Sequence, residues 1–275
     1  MIVKPKDAAT LILIRPSRNT AEGIIEVLMV LRHPGNRFAA DAYVFPGGAI
    51  DDQDCLASLE PYCTGLTRNT AARIITDMPS PGLAHAAWIA AIRETFEEVG
   101  LLLAYDSQKR LLSLTPEPDK IARFDQYRRQ LNDSSIILKD ILEKERLVLA
   151  TDRIFYYSHW ITPELVPIRY DVRFFLAQAP PDQEPLHDGF ELTDSLWITP
   201  QKALQANREG RFTMVLPTIV TMKELAQFRS AEDVIQSTYN KNVPKILTTL
   251  VKKDSTLVEA MPDGSIVGPA PVLMK

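Results

Sequence analysis

Apolar residues recur along this chain with two different periods. Over residues 10–14 and 24–31 they come in short runs rich in Ile, Leu and Val, separated by turn-forming residues over 16–23, which predicts two strands joined by a loop. Residues 42–45 predict a third short strand, stopped by Pro46-Gly47-Gly48. Residues 83–99 contain no Gly or Pro, and Ile89, Ile92, Phe96 and Val99 recur at spacings of three and four. That spacing predicts a helix with one apolar stripe, ended by Gly100, which suits a position of positive φ. Further helices are expected over 119–131, 135–146, from Thr199-Pro200 through Ala206, and over 217–228 and 231–239. Segments 155–160, 172–178 and 195–198 are aromatic or β-branched and read as strands. Residues 51–82, with Pro61, Gly65, Pro79, Pro81 and Gly82, keep no steady period and read mainly as an inserted loop holding a short helix near 70–75. Residues 243–275 read as a mixed tail that turns at Pro262-Asp263-Gly264.

Strands and helices thus interleave with no dividing linker. The pattern predicts one α/β domain with insertions over 1–240, and a tail over 241–275 that packs on this domain or on a second copy.

Composition changes this picture little. The 275 residues are 45% apolar and 24% charged with a net charge of −4, as in ordinary soluble globular proteins. There is no clustered excess of Lys and Arg, so no nucleic-acid surface is expected. A small anionic substrate fits, since a metal ion can supply the positive charge that the balance lacks. Cys55 and Cys63 form neither a disulfide framework nor a zinc site and read as thiols in a reducing compartment. The apolar run over 8–14 is too short for a secretory core or a bilayer, so a cytoplasmic protein without membrane spans is expected.

The chemistry concentrates in the 83–99 helix. Glu94, Glu97 and Glu98 occupy positions i, i+3 and i+4, which brings their β-carbons to about 5–6 Å on one side of a helix. Three carboxylates at that separation suit a hard divalent cation such as Mg2+ or Mn2+. Arg93 lies four residues before Glu97 and can orient a carboxylate with two hydrogen bonds. A solvated acidic face is the alternative. Against it, the cluster sits at the helix C-terminus, where the macrodipole disfavours negative charge.

These residues resemble the Nudix box. Arg93-Glu94-Thr95-Phe96-Glu97-Glu98-Val99-Gly100-Leu101 matches its second half at every charged and glycine position, with Thr95 where an apolar residue is usual. Phe45-Pro46-Gly47-Gly48 is similar to the entry of the box. Five residues beyond Gly48 stands Asp54 instead of Glu, and 38 residues rather than seven then precede Arg93. A box split in this way is similar to the peroxisomal acyl-CoA diphosphatase branch and its bacterial relatives. Tyr170 to Phe175, Ser195 to Pro200, and Leu216-Pro217-Thr218 with Leu225 to Phe228 also resemble segments of that branch.

The resemblance implies an α/β/α sandwich with a mixed sheet, an insertion within the box and extra C-terminal helices. It implies that Glu94, Glu97 and Glu98 bind Mg2+ or Mn2+, that Arg93 holds a glutamate in place, and that Glu97 serves as base. Gly47 and Gly48 would let the main chain approach the substrate, and Asp54 would be an accessory acid in competition with Asp51 and Asp52. Apart from the resemblance, Arg32 and Arg37 follow the second strand and are candidates to meet a phosphate, with plain solubility residues as the alternative. The implied reaction is phosphoanhydride hydrolysis of CoA or acyl-CoA to 3',5'-ADP and (acyl-)4'-phosphopantetheine, and a homodimer is the assembly the resemblance implies. Alternatives are a pyrophosphatase for NADH, ADP-ribose or dinucleoside polyphosphates, and a nucleotide-binding module without turnover. Phe155, Tyr156, Tyr157 and Trp160 are candidates to stack on adenine, and Tyr62 and Arg68 of the insertion to shape the site.

Overall fold

The computed structural model describes residues 2–19, 24–187, 191–253 and 256–269, so 20–23 of the expected first loop and 270–275 of the tail lie outside it. In chain order the strands and helices begin with β1 (Lys6–Pro16), β2 (Ile25–Arg32), β3 (Tyr43–Val44), β4 (Gly47–Ala49), α1 (Arg68–Ile74) and α2 (Pro81–Val99). Then come β5 (Ala104–Tyr105), α3 (Pro118–Asn132), α4 (Leu138–Glu145), β6 (Val148–Leu149), β7 (Phe155–Ile161), β8 (Tyr170–Gln178) and β9 (Leu192–Ile198). The chain continues through α5 (Pro200–Arg208), α6 (Leu216–Leu225), α7 (Ala231–Thr238), β10 (Lys245–Leu247), β11 (Thr249–Lys253), β12 (Thr256–Ala260) and β13 (Ile266–Pro269).

β1 is the spine because its apolar run has no polar face. It pairs in parallel with β8 from Lys6 opposite Tyr170 to Ile14 opposite Gln178, and strands buried on both faces read as continuous apolar stretches. The mixed sheet runs β10-β7-β8-β1-β2-β3, with β4 beside β1 and β9 beside β2. Alternate residues of β1 feed two separate cores. Ala9, Leu11 and Leu13 pack with Trp88, Ile92 and Phe96 of α2. Ile12 and Ile14 pack with Met222 of α6 and Val234 of α7. This is the expected α/β/α sandwich.

Three expectations are corrected. Pro46-Gly47-Gly48 does not end the sheet: β4 pairs antiparallel with β1, Ala8 opposite Ala49 and Thr10 opposite Gly47. A β-carbon at Gly47 would stand 2.4 Å from the Ala9 carbonyl oxygen, so the close pairing itself requires glycine. The insertion is not mainly loop. It forms 3-10 turns over Asp52–Cys55 and Ala57–Tyr62 and then α1, whose N-cap Thr67 accepts a hydrogen bond from the Thr70 amide. Leu59, Leu66, Ala71 and Ile75 bury this segment against α2. The tail carries strands: β10 joins the sheet parallel to β7, and β11-β12-β13 form a small antiparallel sheet with a turn at the expected Pro262-Asp263-Gly264.

α2 departs from its predicted single stripe as well. It begins at Pro81, with Ser80 as N-cap, and is buried on nearly every side from Ala84 to Val99. Among the described residues no helix is long and apolar enough to cross a membrane.

Candidate active site

The last two turns of α2 carry the site. Arg93 is 2% exposed and spreads its guanidinium among four groups. Nε and Nη2 donate to the two carboxyl oxygens of Asp54, each at 2.9 Å. Nη1 donates to Glu94 Oε1 at 2.9 Å and to Glu97 Oε2 at 3.0 Å, and Nη2 also reaches the Ala49 carbonyl at 2.9 Å. One arginine therefore ties the insertion, β4 and two of the three glutamates together. The third, Glu98, points at β4, where its Oε2 accepts from the Gly47 amide at 2.9 Å. Gly48 lies flat against Glu94: a β-carbon there would come within 2.5 Å of the carboxyl.

Asp54 takes a position the spacing alone does not reveal. It is 1% exposed, it sits in the 3-10 turn Asp52–Cys55, and both of its oxygens are engaged by Arg93. It braces Arg93, and its charge also acts on Glu94 and Glu97. Asp51 lies 3.7 Å from Arg93 and borders the cavity described below.

Burial dominates the electrostatics. Desolvation raises the carboxyls of Glu94, Glu97 and Glu98 above the ordinary range, Glu94 to about 8. The charge of Arg93 offsets part of this for Glu94 and Glu97, while Glu94 pushes Glu98 further up. Burial works against the charge of Arg93, and the hydrogen bonds and charges of Asp54, Glu94 and Glu97 more than restore it. A cluster of this kind is short of positive charge.

The C-terminus of α2 has its own counter-charge. Arg128 of α3 is buried and donates through Nε to the Glu97 carbonyl at 2.7 Å and through Nη2 to the Glu98 carbonyl. Gly100 closes the helix at φ 74° with its amide bonded to the Phe96 carbonyl.

A cavity of about 910 Å3 opens beside the glutamates. Its walls include Glu94, Glu97, Glu98, Gly47, Gly48 and Arg32. Ala8, Thr10, Val172, Phe174 and Trp160 supply a floor from β1, β8 and β7. The other expected residues fall elsewhere. Arg37 is exposed and does not border the cavity, and Phe155 packs edge-on against Tyr239. Tyr156 and Tyr157 belong to the two cores, which leaves Trp160 as the aromatic of that strand on the cavity. Tyr62 bonds Glu143 of α4 and Arg68 bonds the Cys55 carbonyl, both away from it. Arg128, Gln53, Thr248 and Glu259 were not foreseen. Gln53 sits beside Asp54 in the insertion, the others come from distant elements, and none matches a local motif.

The residues fit a divalent cation by donor chemistry: an all-oxygen set, desolvated and under-neutralised. Among the described residues no three acidic, His or Cys side chains already stand in ligating geometry. Here the glutamates turn their oxygens to Arg93 and to the Gly47 amide instead.

A family model for the NUDT19 Nudix domain matches residues 61–225. The chain belongs to the Nudix family. Nudix hydrolases generally use divalent metal ions. The chain is 26% identical over 241 residues to the acyl-coenzyme A diphosphatase NUDT19 of Gallus gallus, covering 76% of this chain and 63% of that protein. It is 23% identical over 256 residues to the protein of that name from Xenopus laevis, covering 83% and 67%. It thus spans about two thirds of the length of these Nudix relatives. The crystal structure of a Nudix hydrolase from Alicyclobacillus acidocaldarius superposes with a TM-score of 0.67 at 27% identity, over 88% of this chain and 100% of that one.

Proposed function

We propose that this Nudix chain is a hydrolase that uses Mg2+ or Mn2+ to split the phosphoanhydride of CoA or acyl-CoA, giving 3',5'-ADP and (acyl-)4'-phosphopantetheine. One observation carries the reading: three desolvated glutamates, two held by a buried arginine and one by the Gly47 amide, form one wall of a cavity much larger than a diphosphate. The names of the chicken and frog relatives support the substrate.

Glu94, Glu97 and Glu98 would hold the cation, which when bound neutralises diphosphate oxygens and polarises phosphorus. Every other part of the reaction falls to the chain. The main-chain turn of Gly47 and Gly48 admits the phosphates closely because no side chain stands there. Arg32, whose charge acts on Glu98 and whose Nε is fixed by the Phe38 carbonyl, meets a phosphate oxygen. Arg93 and Asp54 keep the glutamates in register. Glu97, raised by burial and held by one oxygen, takes the proton of the attacking water on the other. The free thiols of Cys55 and Cys63 agree with a reducing, cytoplasmic setting.

Incubation with Mg2+ or Mn2+ and a panel of CoA, acyl-CoA, NADH and ADP-ribose tests the reading. Release of 3',5'-ADP from CoA or acyl-CoA, at higher kcat/KM than turnover of the others, is expected. Absence of turnover throughout the panel would sink it.

A further inference from the structure

The cavity has two distinct ends, one with three glutamates and one with a single Thr–Glu pair. Its acidic end lies at β4, against which Glu94 and Glu98 pack. From there the sheet runs β4-β1-β8-β7-β10, and four strand spacings amount to about 19 Å. Thr248 follows β10 directly, and it borders the same cavity together with Glu259 of β12. Both are buried, at 2% and 6% exposure, and the Thr248 hydroxyl donates to Glu259 Oε1. The floor between the ends is apolar: Val172, Phe174 and Trp160.

Charge divides the ends as clearly. The cations that border the cavity among the described residues are Arg32, Arg93 and Arg129. Arg32 acts on Glu98, Arg93 is bonded to Glu94 and Glu97, and Arg129 stands one helical turn before Asn132, whose side-chain amide reaches the Glu97 carbonyl. All three stand at the acidic end. A phosphate is therefore repelled from the Glu259 end, and a purely aliphatic chain would leave a desolvated carboxyl facing nothing. An N–H donor on a neutral, partly apolar arm satisfies both conditions, because Glu259 keeps Oε2 for it while Thr248 holds Oε1.

We propose that Thr248 and Glu259 form a subsite for an amide N–H on the uncharged arm of the substrate, about four strands away from the phosphates. This rests on the hydrolase reading for what lies at the other end. Amide N–H groups occur both in a pantetheine arm and in the carboxamide of a nicotinamide nucleotide, and the test separates these sources.

The test measures binding by calorimetry in Mg2+ for 4'-phosphopantetheine, nicotinamide mononucleotide in its reduced, uncharged-ring form and AMP, with the full chain and with Glu259→Met, Glu259→Gln and Thr248→Val. Met removes the acceptor, whereas Gln keeps one. Glu259→Met is expected to weaken binding of an amide probe by roughly tenfold or more, with AMP within about twofold. Glu259→Gln should bind nearly as the parent does, and Thr248→Val should show a smaller loss with the same selectivity. Loss confined to 4'-phosphopantetheine assigns a pantetheine arm, loss confined to nicotinamide mononucleotide assigns a nicotinamide, and loss for both supports the shared chemistry. An equal effect on AMP, no effect of Glu259→Met, or Glu259→Gln as weak as Met would overturn the subsite. Turnover of CoA, NADH and ADP-ribose measured on the same variants keeps the two readings apart. Amide-selective binding without any turnover overturns the hydrolase alone, and turnover without amide selectivity overturns the subsite alone.

Discussion

Gly48 and Glu94 are in contact across the gap between β4 and α2, and neither position tolerates much change. A β-carbon at Gly48 falls 2.5 Å from the Glu94 carboxyl carbon and Oε2 and 2.6 Å from Oε1, so Gly48→Ala must swing that carboxyl aside. A displacement of this size lowers kcat/KM by about 10²-fold while the chain folds normally, which steady-state kinetics beside a thermal melt will show. Glu97 invites the reverse argument. Its carboxyl is desolvated and next to like charges, so Glu97→Gln relieves repulsion and still offers an acceptor to Arg93. Activity should fall by about 10²-fold or more with no loss in metal-free melting temperature, and retained activity would remove Glu97 from the site. The glutamate triplet was legible because i, i+3 and i+4 share a helix face whatever the fold does around them. The brace was not: Asp54 meets Arg93 only because a 3-10 turn of the insertion folds back across 39 residues. Asp54→Asn leaves a buried guanidinium without its two-oxygen partner and should cost about 3–5 kcal/mol in urea unfolding.

Helix α2 ends in three glutamates, which its own dipole opposes, and the compensation comes from another element. Arg128 of α3 delivers a charge and two hydrogen bonds to the Glu97 and Glu98 carbonyls. Arg128→Met should destabilise the fold by about 2–3 kcal/mol, since carbonyls at a buried helix end lose charged donors. Arg128→Lys should recover only part of that, because an ammonium lacks the fork that reaches both carbonyls. Urea titrations of the two variants check the order, and equal stability of Lys and Arg would refute the two-carbonyl cap. Elements with a helical period or a long apolar run, α2, α3, β1 and β8, were predicted within a few residues. Those missed have no period to read. β4 is three residues of Gly-Gly-Ala that become a strand only when β1 lies beside them, and β10 to β13 are short strands whose partners lie in the sheet or in each other.

At the scale of the molecule, the acidic cluster makes stability depend on pH and cation together. Glu94 rises from an ordinary value near 4.5 to about 8 on folding, and Glu97 and Glu98 shift in the same direction, burial being the main cause. Between those two pH values the folded, metal-free protein holds a proton that the unfolded chain has released. The unfolded state then binds fewer protons, so stability is fully present below about pH 4.5 and declines as pH rises toward 8. A divalent cation replaces the proton as the neutralising charge and binds the ionised cluster best, so its stabilisation grows over the same window. Melting temperatures in EDTA should therefore fall from pH 5 to 8, and the increment from millimolar Mg2+ or Mn2+ should be largest at pH 8. Glu94→Gln should flatten the first curve and shrink the second, because the group that titrates is also a ligand. A metal-free protein whose melting temperature climbs through this range, or a cation increment independent of pH, would show that the three carboxyls do not titrate as one buried site.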